Sequence, residues 1–338
     1  MSLARRVLAT ALASAGALRR AAYQRGVLFA AAPIGVPVIS VGAIASGGSG
    51  KTPVAAELAR RVAVRLGVAP VGLVCGGYGG SARKKASHVS PASADGATLV
   101  ARHGDEALLL ARWLPHAIVV AGADKAAAAR LAVSLGAAAV LVDDGFQHRR
   151  LPRDLDVVML DADLPTRWRR EPLQALQHAD LSWLHARDGR LEPHAFERAS
   201  AAARCATAGR RGIDVISVAR ARDVVDATGE VLFDAHALRG RRVFIVAAVA
   251  APTAFIELVT DLGAQVVGHA LRRDHTPLGV RDLAQASEHA GALLLTTEKD
   301  LARMAGTPLA SRMLALRCDV EIVRGAAALE AALERSMP

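Results

Sequence analysis

The chain has 338 residues, 52% of them hydrophobic, and a formal charge of +10. That length points to two domains, and the apolar content excludes a disordered chain. The positive charge favours an anionic partner, but aromatics are only 3% and no zinc-finger or RNP-like spacing occurs. Nucleic acid is therefore set aside, leaving a phosphorylated substrate or an anionic membrane surface. Cys75, Cys205 and Cys318 are far apart and odd in number, which fits a reducing compartment and gives neither a disulfide framework nor a metal-binding pair.

At the N-terminus, Arg5-Arg6 precede an apolar stretch from Val7 to Leu18 that is too short to span a bilayer. At 100° per residue, Arg5, Arg6, Arg19 and Arg20 fall within an arc of about 140°. Residues 1–30 are expected to form a basic helix resting on anionic lipid. An ordinary packed helix and a short signal peptide are the alternatives.

The apolar run from Val36 to Val41 leads into Gly47-Gly48-Ser49-Gly50-Lys51-Thr52 and then an alanine-rich helix, Thr52 to Leu66. This strand, glycine turn and helix order is that of a phosphate loop. Backbone N–H groups close around phosphate oxygens, Lys51 reaches the β- and γ-phosphates, and Thr52 holds Mg²⁺. Ala45 stands where that pattern usually has a glycine.

A strand from Val68 to Cys75 follows, then a glycine cluster around Tyr78 and a basic loop with Arg83, Lys84 and Lys85. Gly104-Asp105-Glu106 opens a helix. Its acids are explained by the helix dipole alone, and a catalytic role is the rival reading. Next come a strand from Ala117 to Ala121, a helix from Asp124 to Leu135, and a strand from Ala138 to Val142 running into Asp143-Asp144-Gly145. Carboxylates at that strand end suit Mg²⁺, although Asp-Gly is also ordinary turn chemistry. After a strand from Leu155 to Leu160, residues 186–212 read as a polar, alanine-rich domain join.

Beyond it, short strands are expected at Asp214 to Val218 and Glu230 to Phe233. A second alternation follows, with strands from Val243 to Val249, Gln265 to Leu271 and Leu293 to Thr297, and helices from Thr253 to Leu262 and Leu278 to His289. The expected fold is α/β: a P-loop NTPase-type parallel-sheet domain over residues 31–205 and a smaller α/β domain over 212–338, whose last helix packs on the first. His275, in Arg272-Arg273-Asp274-His275-Thr276-Pro277, is by itself as easily a surface histidine as a catalytic one.

Several blocks together resemble the tetraacyldisaccharide 4'-kinase family. They are the phosphate loop with its trailing Pro53, His103-Gly104-Asp105-Glu106, Asp143-Asp144-Gly145-Phe146-Gln147-His148, Arg170-Glu171-Pro172, Asp274-His275 and Thr296-Thr297-Glu298-Lys299-Asp300. They keep the family's order from about residue 20 to 330. The resemblance implies transfer of the ATP γ-phosphate to the 4'-hydroxyl of an acylated glucosamine disaccharide 1-phosphate, at the cytoplasmic face of the bacterial inner membrane. It implies Asp105 as general base with His275 as its partner. Glu106, Asp143 and Asp144 would lie around Mg²⁺, and Glu171 near the nucleotide. The sequence departs from the family at Ala43, Gly76 and Lys125, where asparagine, arginine and arginine are usual. No protein partner is expected. The rival readings are a P-loop ATPase switch or chaperone without a lipid acceptor, and a binding protein with a degenerate nucleotide site.

Overall fold

The computed structural model describes residues 14, 16, 18, 20–23, 25, 27, 31–45, 48–91, 95–160, 170–190, 192–209, 211–274, 276 and 278–337. Its strands are β1 (Val38–Ala43), β2 (Val71–Cys75), β3 (Ser87–His88), β4 (Ile118–Ala121), β5 (Ala139–Asp143), β6 (Leu155–Leu160), β7 (Leu181–Ala186), β8 (Val215–Val225), β9 (Val231–Asp234), β10 (Arg242–Ala247), β11 (Gln265–Leu271), β12 (Leu293–Thr297) and β13 (Leu314–Arg324). They form one sheet in the order β11-β10-β12-β13-β8-β7-β6-β1-β5-β2-β4-β3, with β9 paired to β8 off this path.

Around β1 the pairs β1–β5, β1–β6, β2–β5 and β2–β4 are all parallel. Every residue of β1, β2, β5 and β6 is buried, as continuous apolar runs require when helices cover both faces. Helix Lys51–Leu66 places Val54, Leu58 and Val62 on one face. Helix Lys125–Ser134 lays Ala128, Ala129 and Ala132 against Val74, Val140 and Val142 on the other. β1 continues to β2 beyond β5, whereas β5 continues to β6 beyond β1. The chain thus leaves β1 and β5 in opposite directions, and a crevice opens at their C-terminal ends.

The sheet does not break at the expected join. β8 pairs in parallel with β7 on one side and antiparallel with β13 on the other, the latter from Ile216 to Val225. Residues 186–212 are also not a linker, because they contain helix Pro193–Ala206, whose Ala199 and Ala203 pack with Leu176 and Leu184. A second apolar core, with Val243, Ile245, Val259 and Leu295, lies under β10 and β12. Helix Ala326–Ser336 returns to the first core, where Leu329, Ala332 and Leu333 join Val54 and Val62. Arg61 holds it through Glu330 at 2.9 Å. Among the described residues, no helix is long and apolar enough to cross a membrane.

Arg5, Arg6 and Arg19 of the expected basic arc lie outside the described residues. Arg20 is within them and does not face outward. It is 5% exposed, pairs with the Glu171 carboxylate, and sits 5.1 Å from the centre of the Phe146 ring.

Candidate active site

The crevice at the ends of β1 and β5 opens into a cleft of about 560 Å³ lined from both halves of the sheet. Gly48, Ser49, Gly50, Lys51 and Thr52 form one wall; Ala250, Phe255, Asp274 and Lys299 are on the facing one. Gly50 caps helix Lys51–Leu66 at φ 76°, with no side chain bonded to the first turn. The first N–H groups of that helix are thus left for an anion. Glycine is required here twice over, since a Cβ on Gly50 would fall 2.5 Å from His185 Cδ2. Gly48 is equally confined, 2.5 Å in the same sense from Ala250 Cβ and Arg187 Nη1. Gly47 lies outside the described residues.

Lys51 Nζ is 3.4 Å from Ser49 Oγ and 3.6 Å from Asp144 Oδ1. Thr52 Oγ1 donates to Asp143 Oδ2 at 3.0 Å, joining the loop to the end of β5. The other oxygen, Asp143 Oδ1, is buried without a hydrogen-bond partner. Burial, and then the charge of Glu106, push this carboxyl up to about 6. Asp144 is in a different state. Burial works to raise it, but the bidentate Arg170 fork at 2.7 and 2.8 Å, helped by Lys51, holds it down at about 2. Its φ of 56° is a left-handed backbone on a non-glycine residue, strain of the kind concentrated at functional sites. Nearby, Lys125 Nζ is buried without a hydrogen-bond partner, and burial pulls its ammonium down.

A cation such as Mg²⁺ fits the Thr52 hydroxyl and the orphaned Asp143 oxygen. Among the described residues no three carboxylate, imidazole or thiol groups form a cage by themselves. This is the arrangement Mg²⁺ favours, with few protein oxygens and the rest from phosphate and water. Glu106 and Asp144 are both engaged by cations instead, Glu106 by Lys299 Nζ at 2.9 Å.

Asp105 opens helix Asp105–Trp113 directly after Gly104. Its Oδ1 accepts the Glu106 N–H at 2.9 Å, and its Oδ2 accepts Arg303 Nε at 2.5 Å. Arg303 comes from the second half of the chain and also binds Asp300 Oδ1 at 2.9 Å and Asp274 Oδ1 at 3.3 Å. Asp105 and Asp274 are therefore brought to one guanidinium, while His275, the expected partner, lies outside the described residues. Glu171 does not line the cleft. It is 2% exposed and pairs with Arg20 and, at 3.7 Å, with Arg149.

Sequence reasoning missed Arg170, Lys125, Lys299, Arg303, His185 and Arg187 as site residues. Lys299 and Arg303 had a signal, since four residues apart on helix Glu298–Arg303 they share a face. His185 and Arg187 had none, because β7 itself was not foreseen.

A family profile described as tetraacyldisaccharide-1-P 4'-kinase matches residues 1–338. A tetraacyldisaccharide 4'-kinase of Anaeromyxobacter sp. (strain Fw109-5) is 44% identical over 353 residues, 98% of this chain and 92% of that relative. Another, from Geobacter sulfurreducens, is 34% identical over 94% of this chain and 88% of its own length. The crystal structure of LpxK from Aquifex aeolicus in complex with ATP matches 99% of this chain and 100% of its own, with a TM-score of 0.74 and 25% identity.

Proposed function

This chain belongs to the tetraacyldisaccharide-1-P 4'-kinase family and is a phosphotransferase of lipid A biosynthesis, and from that premise we propose how its own residues carry the transfer. The phosphoryl donor is ATP. Gly47, Gly48, Ser49 and Gly50 wrap its phosphates, with the free N–H groups of helix Lys51–Leu66 behind them and Lys51 at the β- and γ-phosphates. Thr52 and Asp143 would hold Mg²⁺, with Glu106 and Asp144 close by, and the bound ion would supply positive charge against the phosphates.

Asp105 is the base. As the acceptor 4'-oxygen bonds to the γ-phosphorus and the bond to ADP breaks, the hydroxyl proton passes to the Asp105 carboxylate. Arg303 now occupies Oδ2, so that pair opens to admit the acceptor. The guanidinium remains matched while it does so, because Asp300 and Asp274 share it. His275 follows Asp274 directly in sequence and is assigned to orient Asp105. Glu171 acts indirectly, fastening Arg20 and Arg149 beside Phe146.

The acceptor is the acylated glucosamine disaccharide 1-phosphate, met by a peripheral enzyme at the cytoplasmic face of the inner membrane. The formal charge of +10 supports attraction to an anionic lipid surface.

The observation that carries this reading is the 3.0 Å bond from Thr52, in the first turn of helix Lys51–Leu66, to Asp143, whose second oxygen is left over. The test is a transfer assay with radiolabelled γ-phosphate, Mg²⁺ and the disaccharide acceptor. Label is expected on the lipid with the natural chain and not with Lys51→Ala. Asp105→Ala and His275→Ala should each lower kcat far more than they raise the ATP KM, and should combine non-additively. Phosphate release without an acceptor would overturn the kinase assignment, and additive losses would overturn the pairing.

A further inference from the structure

His185, on β7, has an imidazole that no step above uses. It is 9% exposed, and its Cδ2 edge lies against the Gly50 backbone. Its Nδ1 is 2.9 Å from Ser217 Oγ on β8. The same Ser217 Oγ accepts the Trp183 indole N–H at 2.7 Å.

This short chain fixes a tautomer. An indole nitrogen only donates, so Ser217 must accept from Trp183. Ser217 is 0% exposed, and its own hydroxyl proton needs an acceptor. His185 Nδ1 supplies one only when it carries no hydrogen, and the neutral ring must then carry its proton on Nε2. Burial, and then the neighbouring Arg187 charge, pull the imidazole down to about 4, so the ring is neutral near pH 7. With Nδ1 committed to Ser217 and the ring lining the cleft beside Gly50, Nε2–H is the donor presented to whatever the loop holds.

We propose that His185 is a phosphate-binding residue of the nucleotide site, a neutral Nε2–H donor whose tautomer is set by the Trp183–Ser217 relay. The inference rests on the ATP reading above. A fixed neutral donor suits this position. It adds a hydrogen bond to a phosphate oxygen, or to the loop as the loop closes on phosphate, without another cation next to Lys51 and Arg187. Trp183 and Ser217 are positioning residues, acting through the imidazole.

The test has two readings. In the natural chain labelled with ¹⁵N-histidine, with His185→Gln used to assign the resonance, Nδ1 should report an unprotonated nitrogen and Nε2 a protonated one. ATP should move the Nε2 signal, and Ser217→Ala should mix the tautomers. By calorimetric titration with ATP, His185→Leu should weaken binding by about tenfold, the scale of one hydrogen bond to a charged group. His185→Gln, which keeps an N–H donor, should recover most of that loss. Thermal melts of the three forms separate a folding defect from a binding one. A protonated Nδ1 in the natural chain overturns the proposal, as does ATP affinity unchanged in a folded His185→Leu. If the natural chain binds no ATP, the nucleotide reading fails with it. If Lys51→Ala loses ATP and His185→Leu does not, only the histidine assignment fails.

Discussion

The acids of the cleft are told apart by what their second oxygen touches. Asp144 spends both on Arg170, whereas Asp143 keeps one unpaired. Adjacent in sequence, they are pushed in opposite directions, one to about 2 and the other to about 6. Glu298 is a third case. It accepts the Trp113 indole N–H at 2.9 Å, and burial, working against that bond, raises its carboxyl from 4.5 to about 7. The folded chain thus holds this proton more tightly than the unfolded one. Its contribution to stability is complete below pH 4.5 and is lost as pH rises through about 7. Glu298→Gln keeps an acceptor for Trp113 and removes the titration. Its denaturation midpoint should therefore gain on the natural chain's as pH climbs across that window. A gap between the two midpoints that stays constant with pH would refute this.

At the scale of elements, junctions place the chemistry. Gly104 closes helix Gly96–His103 and opens helix Asp105–Trp113 at φ 89°, and a Cβ there would lie 2.3 Å from the Tyr78 carbonyl oxygen. Gly104→Ala should cost about 1–3 kcal/mol of unfolding free energy, from backbone strain before any clash is relieved. It should also lower turnover by tilting Asp105. Urea melts with a natural-chain midpoint would contradict it. Parallel strands such as β1 and β5 were legible in the sequence because both their faces are apolar, and the Gly50-Lys51-Thr52 junction because few other structures use that order. β13 was not. Its charged residues, Arg317, Asp319 and Glu321, alternate with Cys318, Val320 and Ile322, the period of a half-buried antiparallel strand, which gives a weaker signal than a continuous apolar run. Helix Pro193–Ala206 was hidden for a related reason, since it needs only a narrow alanine stripe to pack. In the site, the phosphate loop and the Asp143-Asp144 pair stand out as motifs and line one cleft, whereas Glu171, also a motif residue, does not line it, and the pairing of Arg303 with Asp105 is made by tertiary structure alone.

For the whole molecule, the continuous sheet matters more than the count of cores. β8 is hydrogen-bonded to β7 and β13 at once, and Asp105–Arg303 and Glu106–Lys299 cross the cleft above it. Calorimetry should therefore show one cooperative unfolding transition, with equal van't Hoff and calorimetric enthalpies. Two resolved transitions would mean that the halves are energetically separate. The return of helix Ala326–Ser336 to the first core bears on how the protein is made. Leu329, Ala332 and Leu333 complete the packing around Val54 and Val62 of the helix behind the phosphate loop, yet they are translated well after the strands and helices they cover. While the ribosome is still at work, the nucleotide-binding half stands with one apolar wall missing and open to chaperones. A message cut short before residue 326 would yield a chain carrying every motif of the loop but lacking its support, marked for degradation by its own exposed alanines and valines.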